Sequence, residues 1–146
     1  MSLVTEEIKA KANIFHGEEL CREKTKELFM AVGLPLGIIP LDEIEECGHV
    51  PENNFIWFRR KKLKRYKFER LGKWVSYAAE VTGYAEEKKI KKLTGIKSKE
   101  IAVWITVSEV SVNDPAQKVT FTTPAGLFRS YPISVFEGDQ NFKEMK

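Results

Sequence analysis

The sequence predicts a mostly β, α+β fold: an antiparallel β pseudobarrel or two-sheet sandwich with one or two N-terminal helices. Three observations predict it. Residues 5–32 carry apolar side chains at helical spacing. From 41 to 136, short stretches alternate apolar and polar residues, with turn signals about every ten positions. Between them, 33–40 reads Gly-Leu-Pro-Leu-Gly-Ile-Ile-Pro, which divides the chain into two unlike halves. No helical pattern separates any two strand stretches, so the crossovers of a parallel sheet are lacking.

Thr5, followed by Glu6 and Glu7, reads as a helix start, because a hydroxyl caps free amides and acids suit the positive end of the helix dipole. Ile8, Ala12 and Phe15 would share one face of a first helix. Beyond Gly17 a second stripe begins, Cys21, Thr25, Leu28 and Val32 with Phe29 beside it, so the helix breaks or kinks near Gly17. Gly33 stands where a left-handed cap is wanted, and Pro35 forbids continuation. The loop 33–40 is too apolar for a solvated loop and is expected to tuck over one end of the core.

Residues 44–50 and 55–59 make a hairpin across Pro51-Glu52-Asn53-Asn54. Tyr66 and Phe68 mark a third strand, ended by Gly72. Over 74–82, Val75, Tyr77, Ala79 and Val81 face one way. Ile90 and Leu93 lie in a short segment closed by Gly95. Ile101, Val103, Ile105 and Val107 predict a two-faced strand, and the parity slip at Glu109 predicts a bulge or bend. Val119, Phe121 and Thr123 form another strand, 127–136 the last, and the polar tail 137–146 is expected to fray.

The length of 146 residues suits one domain spanning 1–146. No apolar run approaches the roughly 18 residues of a membrane span, and the N-terminus lacks the apolar stretch of a signal peptide. The expected location is the cytoplasm, or the nucleus. Cys21 and Cys47 are expected to be reduced core residues. Cys47 and His49 make only half a ligand set, so neither a metal nor a cofactor is expected. The net charge of +3 divides into −5 over 1–50 and +8 over 51–146, so the strand half is basic.

Several of these pieces occur together: 33–40 after a helix, Val75-Ser76-Tyr77, Gly83, Leu93-Thr94-Gly95-Ile96-Lys97-Ser98-Lys99, then Trp104 with Val107, and the closing stretch 128–136. Over residues 7–136 the combination resembles the plant family called domain of unknown function 538. The resemblance implies a plant protein and a small β pseudobarrel with an N-terminal helix. It implies no settled activity; suggestions attached to the family are stress response, a likeness to lipid- and lipopolysaccharide-binding proteins, and hydrolase-like action on chlorophyll. Many relatives look secreted and hold a cysteine near the third strand, whereas 59–70 here contain none.

The run 59–70 holds eight cations and one acid. Arg59, Arg60, Lys61, Lys62, Lys64, Arg65 and Lys67 are the candidate contacts for an anionic lipid or small amphipathic molecule. The competing reading is a solvated hairpin tip whose charges protect an edge strand. Nucleic acid is disfavoured, since no RNA-binding aromatic motif is present. Trp57, Tyr77, Trp104, Phe121 and Phe128 are the candidate pocket lining, or else simple core. Asp42, Glu43, Glu45 and Glu46 read as a solvated strand end without calcium-loop spacing. No serine lies in a nucleophile elbow, and Cys47 and His49, two apart in a strand, share a face without forming a bonded pair. No catalytic residue is therefore assigned. The expected function is a small intracellular binding or accessory protein for an amphipathic or anionic ligand, linked to stress through the resemblance. The alternatives are an esterase-like hydrolase and an interaction module without a small ligand.

Overall fold

Thr5 opens the first helix by the expected chemistry: its Oγ1 accepts the Ile8 amide at 3.2 Å. The computed structural model describes residues 2–137 and the backbone of Phe142–Glu144. The elements run α1 (Glu6–Ala10), β1 (Asn13–His16), α2 (Glu18–Val32), a 3-10 turn (Leu36–Ile38), β2 (Glu46–Val50), β3 (Phe55–Arg59), β4 (Lys64–Phe68) and β5 (Lys73–Glu86). Then follow β6 (Lys89–Glu100), β7 (Val103–Thr106), β8 (Glu109–Asn113), β9 (Lys118–Thr122), β10 (Phe128–Pro132), a second 3-10 turn (Ile133–Phe136) and β11 (Phe142–Glu144).

The helical half is shorter than its spacing predicts. The first helix stops at Ala10, and Phe15 lies instead in β1, opposite Cys47 of β2. Ile14 and Phe15 are strand-favouring neighbours, and Gly17 at φ +93 then turns the chain into α2. α2 buries Cys21, Thr25 and Phe29, one stripe at a spacing of four. Gly33 ends it in the left-handed region, donating its amide to Phe29 O.

The apolar loop after Gly33 is buried, including Leu34, Ile38, Ile39 and Leu41. A buried loop needs partners for its carbonyls. The Tyr77 hydroxyl donates to Ile38 O and the Arg60 guanidinium to Pro40 O, each at 2.7 Å.

The strands form one antiparallel sheet in the order β1-β2-β3-β5-β6-β8-β9-β10, with β4 on β5, β11 on β4 and β7 on β6. The mostly β, antiparallel α+β fold is as expected; the outer strands β1 and β10 do not pair with each other, so the sheet is open and does not close into a barrel. The reason lies in what covers the apolar face. α2, the loop after it and the turn Ile133–Phe136 contribute to the main core, where Phe136 packs against Phe68 at 5.1 Å and Phe121 at 5.6 Å between ring centroids. A face covered this way needs no edge-to-edge closure. Val75, Tyr77 and Val81 point into this core, as their alternation predicts. On the other face of β2 and β3, Val50, Phe55 and Trp57 pack under Ile8, Ala12 and Ile14.

The β half departs from expectation in four places. Gly95 closes nothing: it sits inside the long strand β6 at φ +85. The alternation across 101–107 misleads, because Glu100 pairs with Val103 and leaves Ile101 and Ala102 as a two-residue turn. Ile101 is fully exposed and Val103 mostly so, while Val107 is buried. The slip at Glu109 is real: residues 91–96 of β6 face only 107–109 between the pairs Ile90↔Val110 and Lys97↔Thr106. The last strand stops at Pro132 rather than running to 136. Of the tail expected to fray, Phe142–Glu144 pairs with β4, whose outer edge would otherwise be bare; 138–141 and 145–146 lie outside the described residues. Among the described residues no helix is long and apolar enough to cross a membrane.

Candidate functional site

α2 crosses β1, β2 and β3 with its Cys21–Thr25–Phe29 stripe inward, which leaves Lys24, Glu27 and Leu28 along one side of the contact. A cavity of about 320 Å³ opens there. Phe15, Leu28, Cys47, Ile56 and Phe58 line it with apolar surface, and Asn13, Lys24, Thr25, Glu27 and His49 supply the polar groups. The alternation of β2 and β3 accounts for the apolar side, since Cys47, Ile56 and Phe58 all point toward α2. The Lys24 ammonium lies over the Phe15 ring, 5.5 Å from its centroid, and 3.8 Å from Glu27.

Cys47 and His49 share this groove, as their spacing predicts. His49 Nε2 is held by Asn54 Oδ1 at 2.8 Å. The Cys47 thiol is pushed far up, first by burial and then by the Cys21 thiol beside it. Burial likewise pushes Cys21 up, and its Sγ–H donates to Phe15 O at 3.4 Å. Both thiols are free and buried. Only the thiolate is nucleophilic, so a thiol shifted upward reacts slowly. Iodoacetamide at pH 8 is therefore expected to leave both unlabelled in the native protein and to label both in guanidinium, as read by intact mass. Rapid native labelling of Cys47 would contradict this placement.

Beneath β1 lies a carboxylate hub that the sequence reading takes for part of a solvated strand end. Glu46 is only 6% exposed. It accepts from Trp57 Nε1 at 2.9 Å and from Arg59 Nη2 at 2.7 Å, and lies 3.2 Å from His16 Nε2. Burial pushes its carboxyl up. The Trp57 hydrogen bond, the Arg59 and Lys9 charges and the His16 contact together outweigh that and hold it below the usual carboxylate value. The other three acids are only half-buried or exposed, and two of them face cations of the basic run: Glu45 lies 4.0 Å from Lys61 and Glu43 lies 2.5 Å from Lys64.

The basic run does not form one contact surface. Arg59 serves Glu46, and Arg60 is buried. Arg65 lies 4.9 Å from the Trp104 ring centroid and Lys67 lies 5.9 Å from that of Trp74, both cations over ring faces. Lys61, Lys62 and Arg65 are exposed, and Lys64 and Lys67 are half-buried. Nor do the five candidate pocket rings meet. Trp57 and Tyr77 are core, while Trp104 lies near Arg65 on the outside. Phe121 and Phe128 share a crevice of only about 60 Å³, and Phe128 is 62% exposed. Charge and aromaticity are visible in a sequence, but which face each residue takes depends on strand partners. The groove residues Phe15 and Leu28 were missed as a pair because Phe15 reads as helix; the adjacent Ile14 and Phe15 were the available strand signal.

The model of the family described as protein of unknown function, DUF538, matches residues 25–137, well over half of the chain. The chain belongs to this family. The DUF538 match begins inside α2 and ends just past the turn Ile133–Phe136, so it covers the sheet from β2 to β10 and the loop that plugs it. The groove in this DUF538 chain thus has one wall inside the matched region and the other, β1, before it. No curated protein and no solved structure matches the chain.

Proposed function

We propose that the protein binds a small, lipid-like amphipathic molecule with an anionic head, seated in the groove between α2 and β1–β3. The observation that carries this reading is the cavity of about 320 Å³, lined by apolar Phe15, Leu28, Ile56 and Phe58 with Lys24 and His49 among its polar groups. Its size falls at the lower end of the ~300–1,000 Å³ of small-molecule sites, and mostly apolar lining with a few polar groups is their usual composition. Lys24 is half-exposed and holds Glu27 only loosely, at 3.8 Å, so its charge is available to a carboxylate or phosphate head. Hydrolysis is the weaker reading. Burial keeps the Cys47 thiol protonated, and His49 is bound to Asn54 rather than to the Thr25 hydroxyl or the thiol.

A fluorescent fatty acid tests the proposal, against the same tail carrying a quaternary ammonium head. The acid is expected to bind and the cationic analogue to bind about tenfold more weakly, the equivalent of 1.4 kcal/mol. Lys24→Glu should remove that preference, and Leu28→Trp should block both probes by filling the groove. Absence of binding up to about 1 mM, or binding indifferent to both substitutions, would overturn it.

A further inference from the structure

β3 and β4 lie in line along the same edge of β5, with Arg59 opposite Glu80 and Lys64 opposite Tyr77. Residues 60–63 therefore face only 78 and 79, and the chain must bulge between the two strands. Arg60 is the last residue held before the bulge, its amide bonded to Ala79 O at 2.8 Å. Its side chain turns inward and is 4% exposed. One guanidinium nitrogen, Nη2, donates to Pro40 O. Nε and Nη1 are buried and have no partner.

A buried guanidinium with one neutral acceptor is costly unless a countercharge is supplied. Among the described residues the neighbouring acids offer none. Asp42 accepts from Tyr66, Glu43 faces Lys64, Glu45 faces Lys61 and Glu46 serves Arg59. Beside Arg60 lies a cavity of about 350 Å³ lined by Glu43, Glu45, Arg60, Lys61, Lys62 and Lys64. Among its described lining residues, four cations stand against two carboxylates, a formal charge of +2.

We propose that this bulge is a binding site for a doubly charged oxyanion, the phosphate monoester group, with Arg60 as buried anchor and Lys62 as its solvent-side contact. A guanidinium offers a planar array of donors that suits phosphate oxygens, and a dianion neutralises the surplus charge of the cavity. The site uses none of the groove residues, so it stands or falls apart from the function proposed above.

Thermal melts in inorganic phosphate and in chloride at matched ionic strength test it, because an ion that binds only the folded state raises Tm with its concentration. The wild type is expected to gain Tm in phosphate, and Arg60→Met to lose that response. Lys62→Ala, which changes only an exposed side chain, should weaken phosphate binding by about fivefold and keeps the test decisive if Arg60→Met does not fold. Lys24→Glu should leave the phosphate response intact. Phosphatidylcholine vesicles doped with phosphatidic acid, or with singly charged phosphatidylglycerol, separate the sources. Preference for phosphatidic acid identifies a lipid headgroup, and phosphate response without vesicle binding identifies a soluble monoester. No phosphate-specific rise in Tm, or a full response in Arg60→Met or Lys62→Ala, overturns the site.

Discussion

Gly48→Ala is expected to destabilise the protein by about 3 kcal/mol, at the upper end for overpacking because the obstacle is a large, anchored ring. Gly48 of β2 stands directly opposite Trp57 of β3. A Cβ at 48 would lie 2.2 Å from two atoms of the indole, far inside contact distance. The ring cannot simply step aside. Trp57 is 0% exposed, its Nε1 is tied to Glu46 and Phe55 packs beside it at 6.2 Å between centroids. The methyl group therefore has to expel the indole or part the two strands. Trp57→Ala alone should cost about 3–5 kcal/mol through the cavity it leaves. Adding Gly48→Ala to Trp57→Ala should cost almost nothing more, because the conflict has gone with the ring. Urea midpoints of the two single variants and the double variant measure this non-additivity. Equal costs for Gly48→Ala in both backgrounds would show that the glycine serves its backbone rather than the indole.

Glycines also show where the sequence speaks and where it does not. Gly33 was legible as a helix cap because a long apolar stripe precedes it and Pro35 follows, so local chemistry suffices. Gly95 was not. It reads as a terminator, yet it is a kink inside β6, where any Cβ would meet Glu80 O at 2.5 Å. That oxygen belongs to β5, fifteen residues upstream in the chain, and nothing local announces it. Ile101 carries the same lesson in reverse. Its β-branched side chain argues for a strand interior, whereas it occupies φ +55 in a two-residue hairpin turn, a position that favours Asn or Gly. The alternation of β5 was readable because one apolar face is a local property. The open sheet was not, since whether the edges meet depends on how much of that face the loop after Gly33 and the turn Ile133–Phe136 cover. In the candidate sites the pattern repeats. Arg60 is one of eight cations in its run, and only the bulge between β3 and β4 sends it inward.

Glu46→Gln should cost about 2–3 kcal/mol at neutral pH, below the ~3–5 kcal/mol of a fully buried pair because Arg59 is 42% exposed and part of its attraction is screened. The amide keeps the shape of the carboxylate but not its charge. It offers a single acceptor oxygen in place of the two that receive Trp57 Nε1 and Arg59 Nη2. The pH dependence carries a definite sign. Burial raises the carboxyl, but the Trp57 bond and the Arg59, Lys9 and His16 contacts prevail, so its folded value lies below the unfolded one. A group lowered on folding binds more protons in the unfolded chain, so its stabilisation is complete above the unfolded carboxylate value, 4.5, and is lost as pH falls through the folded one. The gap in urea midpoint between wild type and Glu46→Gln should thus be widest near neutrality and should narrow with acidification below about 4.5. Arg59→Met provides the control, because it removes one of the charges that lower the carboxyl and should move the acid transition of the protein to higher pH. A gap that stays constant from pH 7 to pH 3 would mean that Glu46 contributes shape alone and that its three partners do not favour the charged form.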